Sequence, residues 1–244
     1  MQFDIYKIAE KLNEFEKSTG VIRIDPIWGS QMSAQEYYEH MRPRVEAARR
    51  LLLPGELGCA LAHVNVYRRI FASCKGGLIL EDDIGLTNEA LKDAESVVKS
   101  IKRPDFVQFA RYRHTFIKSQ LVPGIYVADT SKGFWGTAAY FVSPEMAQRM
   151  MRRHSGFVDL ADNWQEVFVG CNVIPYYAPI FQHSGEGSRI GDRSIPPQNP
   201  SLIQAVRYRL LRRRMEILGP CRRVKQILRA KKTVRIQLDK EIDQ

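Results

Sequence analysis

Long apolar runs are missing from this chain of 244 residues, and no stretch of about 18 reads as a membrane-crossing helix. Its start, Met1-Gln2-Phe3-Asp4, lacks a basic segment followed by an apolar one, so no secretory signal is read there. Cysteine is scarce. Cys59, Cys74, Cys171 and Cys221 stand far apart with no CxxC pair. That spacing argues against a zinc site and suits free thiols in a reducing cytoplasm. No internal repeat occurs. Acid is nearly absent from residues 207–235, which hold 12 Lys or Arg and only Glu216 against them. That window carries +11 of a formal net charge of +10, so the rest of the chain stands at −1. The high isoelectric point belongs to the tail.

What is present suits one large α/β domain, or one domain with an appendage. A content of 44% hydrophobic and 10% aromatic residues builds a core and excludes disorder for the bulk. Ile5, Ile8, Leu12 and Phe15 have helical spacing, which predicts a helix over 4–17. Val21 to Asp25 reads as a strand. Ser33 with Glu36 forms a capping box for the next helix, which Pro43 should kink or break. Pro54-Gly55 reads as a turn, and Gly58 to Cys74 as a buried helix. Leu86 to Ile101 is a further helix. Strands are expected at 106–110, 125–128, 137–142 and 173–178. Ser143-Pro144 opens a helix running to about Arg153, and Asp162 to Phe168 a short one. Gly185 to Pro200 is a Gly/Ser/Pro loop of a kind that covers sites.

The most informative stretch is Leu78-Ile79-Leu80-Glu81-Asp82-Asp83. Apolar residues run straight into three carboxylates, which reads as a central parallel strand ending in acids. In open α/β sheets ligands bind outside that end. Three carboxylates there repel one another unless a cation holds them, and hard oxygen ligands suit Mn²⁺ or Mg²⁺. Strand alternation puts Asp83 and Glu81 on one side as metal ligands. Asp82 falls on the other side, or coordinates through the turn. A solvated acidic turn is the alternative.

Three segments together resemble glycosyltransferase family 25. They are Gly55-Glu56-Leu57-Gly58-Cys59-Ala60-Leu61-Ala62-His63, the run Ile79 to Asp83, and Trp135-Gly136-Thr137-Ala138-Ala139-Tyr140-Phe141-Val142-Ser143-Pro144. Val158-Asp159-Leu160-Ala161-Asp162 and Pro179-Ile180-Phe181-Gln182 follow in the family's order. Ala62 stands where the family has Ser. Family members begin with a hydrophobic strand that helps hold the nucleotide, and this chain reads as starting inside the following helix.

The resemblance implies a GT-A-like, Rossmann-type, mostly parallel sheet flanked by helices over 1–200, and a basic amphipathic helical tail over 201–244. It implies a UDP-sugar donor, most often UDP-galactose, Mn²⁺ or Mg²⁺, a lipid-linked saccharide acceptor in lipooligosaccharide or LPS biosynthesis, and inversion at the anomeric carbon. Inversion needs one base, for which Asp162 and Asp159 are candidates; a helix N-cap is the other reading of Asp162. His63 is either a donor contact, a partner of the carboxylates or a packed core histidine. His183 is a further metal or diphosphate ligand or a loop residue. Arg189 and Arg193 would clamp phosphates or lie in solvent. Asp82 would hold the donor ribose or sugar, and Arg111, Tyr112 and Arg113 follow a strand end and would face the donor. Trp135-Gly136-Thr137 offers a platform for a sugar ring, or simply precedes a core strand.

In the tail, Leu202, Ile203, Val206, Leu210 and Leu218 form an apolar stripe among arginines. A basic amphipathic helix reads as a membrane-surface element. The expected location is therefore cytoplasmic, peripheral on the inner face of the membrane, with residues 202–235 on anionic lipid. A packed C-terminal helix is the plainer reading. A nucleic-acid binder fits poorly, since only Tyr208 interleaves the basic run. A metal-dependent phosphatase or nuclease lacks a second ligand cluster. An inactive relative would follow from a missing first strand.

Overall fold

The computed structural model describes residues 3–182 apart from 48, 103, 113, 114, 133 and 169–171. The tail, the 185–200 loop, Arg113, His183, Arg189 and Arg193 lie outside the described residues. Among those described, residues up to 41 and from 52 onward form one compact unit, and 42–51 belong to a second.

Side-chain alternation decides the first element. Phe3 and Ile5 pack into one core cluster, Tyr6 and Ile8 into another. A stretch buried on both faces is a strand, and β1 is Phe3–Ile8. The helix expected over 4–17 is therefore wrong: only its end is helical, as α1, Glu14–Ser18. The spacing of Ile5, Ile8, Leu12 and Phe15 mixes residues of a strand and of a short helix. The chain thus opens on a strand and not inside a helix.

The other strands are β2 (Ile22–Ile24), β3 (Gly76–Glu81), β4 (Phe106–Ala110), β5 (Ile117–Val122), β6 (Ile125–Ala128), β7 (Ala139–Val142) and β8 (Pro175–Phe181). They form one sheet in the order β2-β1-β3-β7-β4-β8-β6-β5. The pairings β1–β2, β1–β3 and β4–β8 are parallel, and β3–β7, β4–β7, β5–β6 and β6–β8 antiparallel. The sheet is mixed, which corrects the mostly parallel expectation. All strands but β6 and β7 still run the same way, so one edge gathers the carboxyl ends of β1, β3, β4 and β8. β5 was not expected; its residues are all exposed, and it pairs only through β6.

Helices cover both faces. α3 (Pro54–Ser73), α5 (Pro144–Gly156) and α6 (Trp164–Phe168) supply Tyr67, Ile70, Met146, Met150 and Trp164 to one cluster. α4 (Asn88–Ser100) supplies Ala94 and Val98 to the other, with Leu12 and Phe15 beside it. α2 (Ala34–Glu46) starts at the expected box: Ser33 N–H donates to Glu36 Oε2 at 2.8 Å, and Glu36 N–H to Ser33 Oγ at 3.2 Å. Pro43 does not end α2, which runs one turn further, to Glu46. Pro54-Gly55 is not a turn but the first turn of α3, where proline's fixed φ and missing N–H cost nothing.

Candidate functional site at the carboxyl edge of the sheet

Glu81 is the last residue of β3, and its N–H donates to Ala138 O at 2.8 Å. The acids that follow are in a turn, where Ile84 N–H donates back to Glu81 O at 3.2 Å. Alternation therefore ends at Glu81 and does not place Asp83 on the same side, contrary to the strand expectation. The turn leaves Asp82 exposed and Asp83 half-buried.

Glu81 is tied inward. Thr137 Oγ1 donates to Glu81 Oε1. The same oxygen is 3.1 Å from His63 Nε2, and His63 Nδ1 is 2.7 Å from Tyr140 Oη, which is 2.8 Å from Tyr67 Oη. His63, Tyr67 and Tyr140 are fully buried. A chain of polar atoms thus runs from the sheet edge into the core, and each member has a partner, as burial requires. Cys59, His63 and Tyr67 are spaced by four on α3, which puts them on one stripe facing Glu81 and Tyr140. Sequence reasoning missed Cys59, Tyr67 and Tyr140; the spacing of four around His63 was the available signal.

The segment before β7 is held from several sides. Gln108 Nε2 donates to Trp135 O at 2.8 Å and to Gly136 O at 3.0 Å, and Trp164 Nε1 to Gly136 O at 2.7 Å. Ala138 N–H donates to Tyr112 Oη at 2.9 Å. Trp135 itself is exposed at 44%.

Burial pushes the Tyr112 phenol up, and the charges of Glu81, Asp83 and Asp162 push it further. Burial likewise raises the Cys59 thiol, followed by Glu81 and Asp162. Asp162 therefore lies within electrostatic reach of both. It is not the helix cap: α6 begins at Trp164, and Asn163 precedes it, accepting from Val167 N–H at 3.4 Å. Asp159 is buried and engaged elsewhere, with Oδ2 2.5 Å from Arg153 and Oδ1 accepting from Leu160 N–H at 2.9 Å.

Beside Tyr112 a groove of about 520 Å³ opens between β4, the β5–β6 hairpin and β8. Arg111, Tyr112, Tyr126, Tyr177 and Gln182 line it. Arg111 is anchored by its backbone N–H to Phe181 O at 3.0 Å. The structure thus gathers His63, Glu81 and Thr137 by direct contact, with Gly136 and Arg111 beside Tyr112 and the charges of Asp83 and Asp162 acting on it. Asp159 stands in its own ion pair.

A family model described as glycosyltransferase family 25 (LPS biosynthesis protein) matches residues 7–163, well over half of the chain. No curated protein matches it.

Proposed function

Because the chain belongs to glycosyltransferase family 25, the glycosyltransferases of LPS biosynthesis, we propose that it moves a hexose, galactose first, from a UDP-sugar to a lipid-linked saccharide with inversion. The observation that supports this reading is that Glu81 ends β3 at the carboxyl edge of the sheet, where its charge and those of Asp83 and Asp162 all act on Tyr112. The mixed sheet with its shared strand direction is compatible with a GT-A-type core, and β1 lies beside β3 in it.

Asp83 and Glu81 would hold Mn²⁺ or Mg²⁺; the fit is one of donor chemistry, carboxylate oxygens on a hard cation. That ion would offset the charge of the departing UDP diphosphate. The rest falls to side chains. Asp162 takes the proton from the acceptor hydroxyl as its oxygen attacks the anomeric carbon. Thr137 and His63 fix the Glu81 carboxylate. The exposed Trp135 ring offers a stacking face for a sugar, and Arg111 with Tyr112 lines a groove sized for part of the donor or acceptor. Asp82 faces solvent, where donor hydroxyls would arrive. Asp159 is the weaker base candidate, since Arg153 occupies it. His183 and Arg189 are proposed as diphosphate or metal contacts from the resemblance alone. Residues 202–235 are proposed to hold the enzyme on anionic lipid at the inner face of the membrane, near its acceptor; no described helix is long and apolar enough to cross one.

Slow hydrolysis of UDP-galactose needs no acceptor. It is expected with Mn²⁺ and absent with a chelator or in Asp83→Ala. Anomer-resolved NMR of the transfer product then tests inversion: a product that keeps the donor's configuration rejects it.

A further inference from the structure

The geometry points to a second cation site, for a thiolate-binding divalent ion such as Zn²⁺, held by Cys59 Sγ, His63 Nε2 and a Glu81 carboxylate oxygen. Ligand atoms of these three residues lie within 4.8 Å of one another. Zinc bonds of about 2.0–2.3 Å set tetrahedral ligands roughly 3.3–3.8 Å apart, so side-chain rotation of Cys59 and Glu81 closes the difference. The His63–Glu81 edge is already at 3.1 Å.

Two observations distinguish the cluster from a chance meeting of polar groups. Cys59 and His63 are four residues apart on a 20-residue helix, which fixes their separation rigidly, and Glu81 comes from the end of a central strand. The remaining nitrogen of His63 is also prepared. A metal-bound imidazole nearly always passes its other N–H to a fixed partner, which sets the tautomer. Tyr140 Oη stands 2.7 Å from Nδ1 and is backed by Tyr67 Oη at 2.8 Å, all of it buried.

The proton count closes. Without metal, Nε2–H donates to Glu81 and Nδ1 accepts from Tyr140. With metal, the single imidazole proton sits on Nδ1 and Tyr140 Oη accepts it, its own proton turning to Tyr67 Oη and the Tyr67 proton rotating off that bond. One proton leaves, from the Cys59 thiol. A thiolate, an imidazole and one carboxylate select Zn²⁺ over Mn²⁺ or Mg²⁺, which prefer oxygen throughout. Three protein ligands leave a fourth position open. The site shares Glu81 with the proposed donor edge but does not depend on donor chemistry. A zinc ion there would lock α3 to β3 and fix the carboxylate from which the acidic turn departs.

The test uses the full chain, stripped with a chelator and titrated with Co²⁺ as the spectroscopic probe. The expected result is a thiolate-to-cobalt charge-transfer band saturating at one equivalent and displaced by Zn²⁺. In the triple variant Cys74→Ser, Cys171→Ser, Cys221→Ser, where Cys59 is the sole cysteine, the band is expected to persist; in Cys59→Ser it is expected to vanish. No band in the triple variant, with far-UV circular dichroism unchanged, overturns the site. So does a band that survives Cys59→Ser.

Discussion

Gly136 carries the most demanding conformation near the site. Its φ is +97°, and a Cβ there would stand 2.0 Å from Tyr112 Cζ. The added methyl would have to move a half-buried ring whose hydroxyl accepts from Ala138 N–H. Gly136→Ala is expected to destabilise by about 3 kcal/mol, from backbone strain plus overpacking, and to cut sugar-nucleotide turnover. Urea unfolding and the hydrolysis assay read the two effects. Gly136, Glu81 and Asp83 could be singled out in the sequence, because a glycine just before a strand and acids at the end of one are unusual. Tyr140 and Tyr67 were not, because an aromatic residue on a buried strand or helix looks like ordinary core. Only the fold, which brings His63 to Glu81 across 18 positions, shows that their hydroxyls form a relay.

At the scale of elements, the carboxyl edge is built around β1. Lys7, near its end, is buried at 5% exposure, donates to Glu16 Oε1 of α1 at 2.5 Å, and to Ile84 O behind the acidic turn at 2.9 Å. One ammonium thus ties a strand, a helix and the loop that carries Asp83. Glu16→Gln leaves that charge without its carboxylate, and breaking a buried pair this way costs about 3–5 kcal/mol. The expected outcome is a lower urea midpoint and weaker Mn²⁺-dependent nucleotide binding by calorimetry. Unchanged stability would show that Ile84 O and water suffice for Lys7. The helices α3, α4 and α5 were readable from their period, and β4 as a short apolar run. β1 was not, because Ile5 and Ile8 with Leu12 and Phe15 beyond them copy a helical spacing. β5 was not, because an exposed edge strand carries no burial pattern.

For the molecule as a whole, alkaline pH exposes the buried relay. Burial raises the Tyr67 and Tyr140 phenols above their ordinary value of 10.0 in the folded state. The unfolded chain ionises them at the ordinary value, so their contribution is whole below about pH 10. It is lost as pH rises toward the folded values, at about 1.4 kcal/mol per pH unit for each phenol. Urea unfolding between pH 8 and 11 is expected to show that decline, and Tyr140→Phe to make it shallower. The basic tail predicts a second whole-molecule property. Co-sedimentation with anionic vesicles is expected at low salt, and to weaken when Arg212, Arg213 and Arg214 are replaced by Glu, at about 1 kcal/mol for each lost cation. Tighter binding to duplex DNA than to vesicles at matched salt would reject the membrane reading.

The central claim is a metal-assisted sugar-nucleotide site at the acidic end of β3. Isothermal calorimetry of UDP-galactose against the full chain tests it most directly. Binding is expected with Mn²⁺, lost with a chelator and lost in Asp83→Ala of unchanged circular dichroism. A folded wild-type chain that binds no UDP-sugar in Mn²⁺, or an Asp83→Ala variant that binds as well as wild type, would contradict the account.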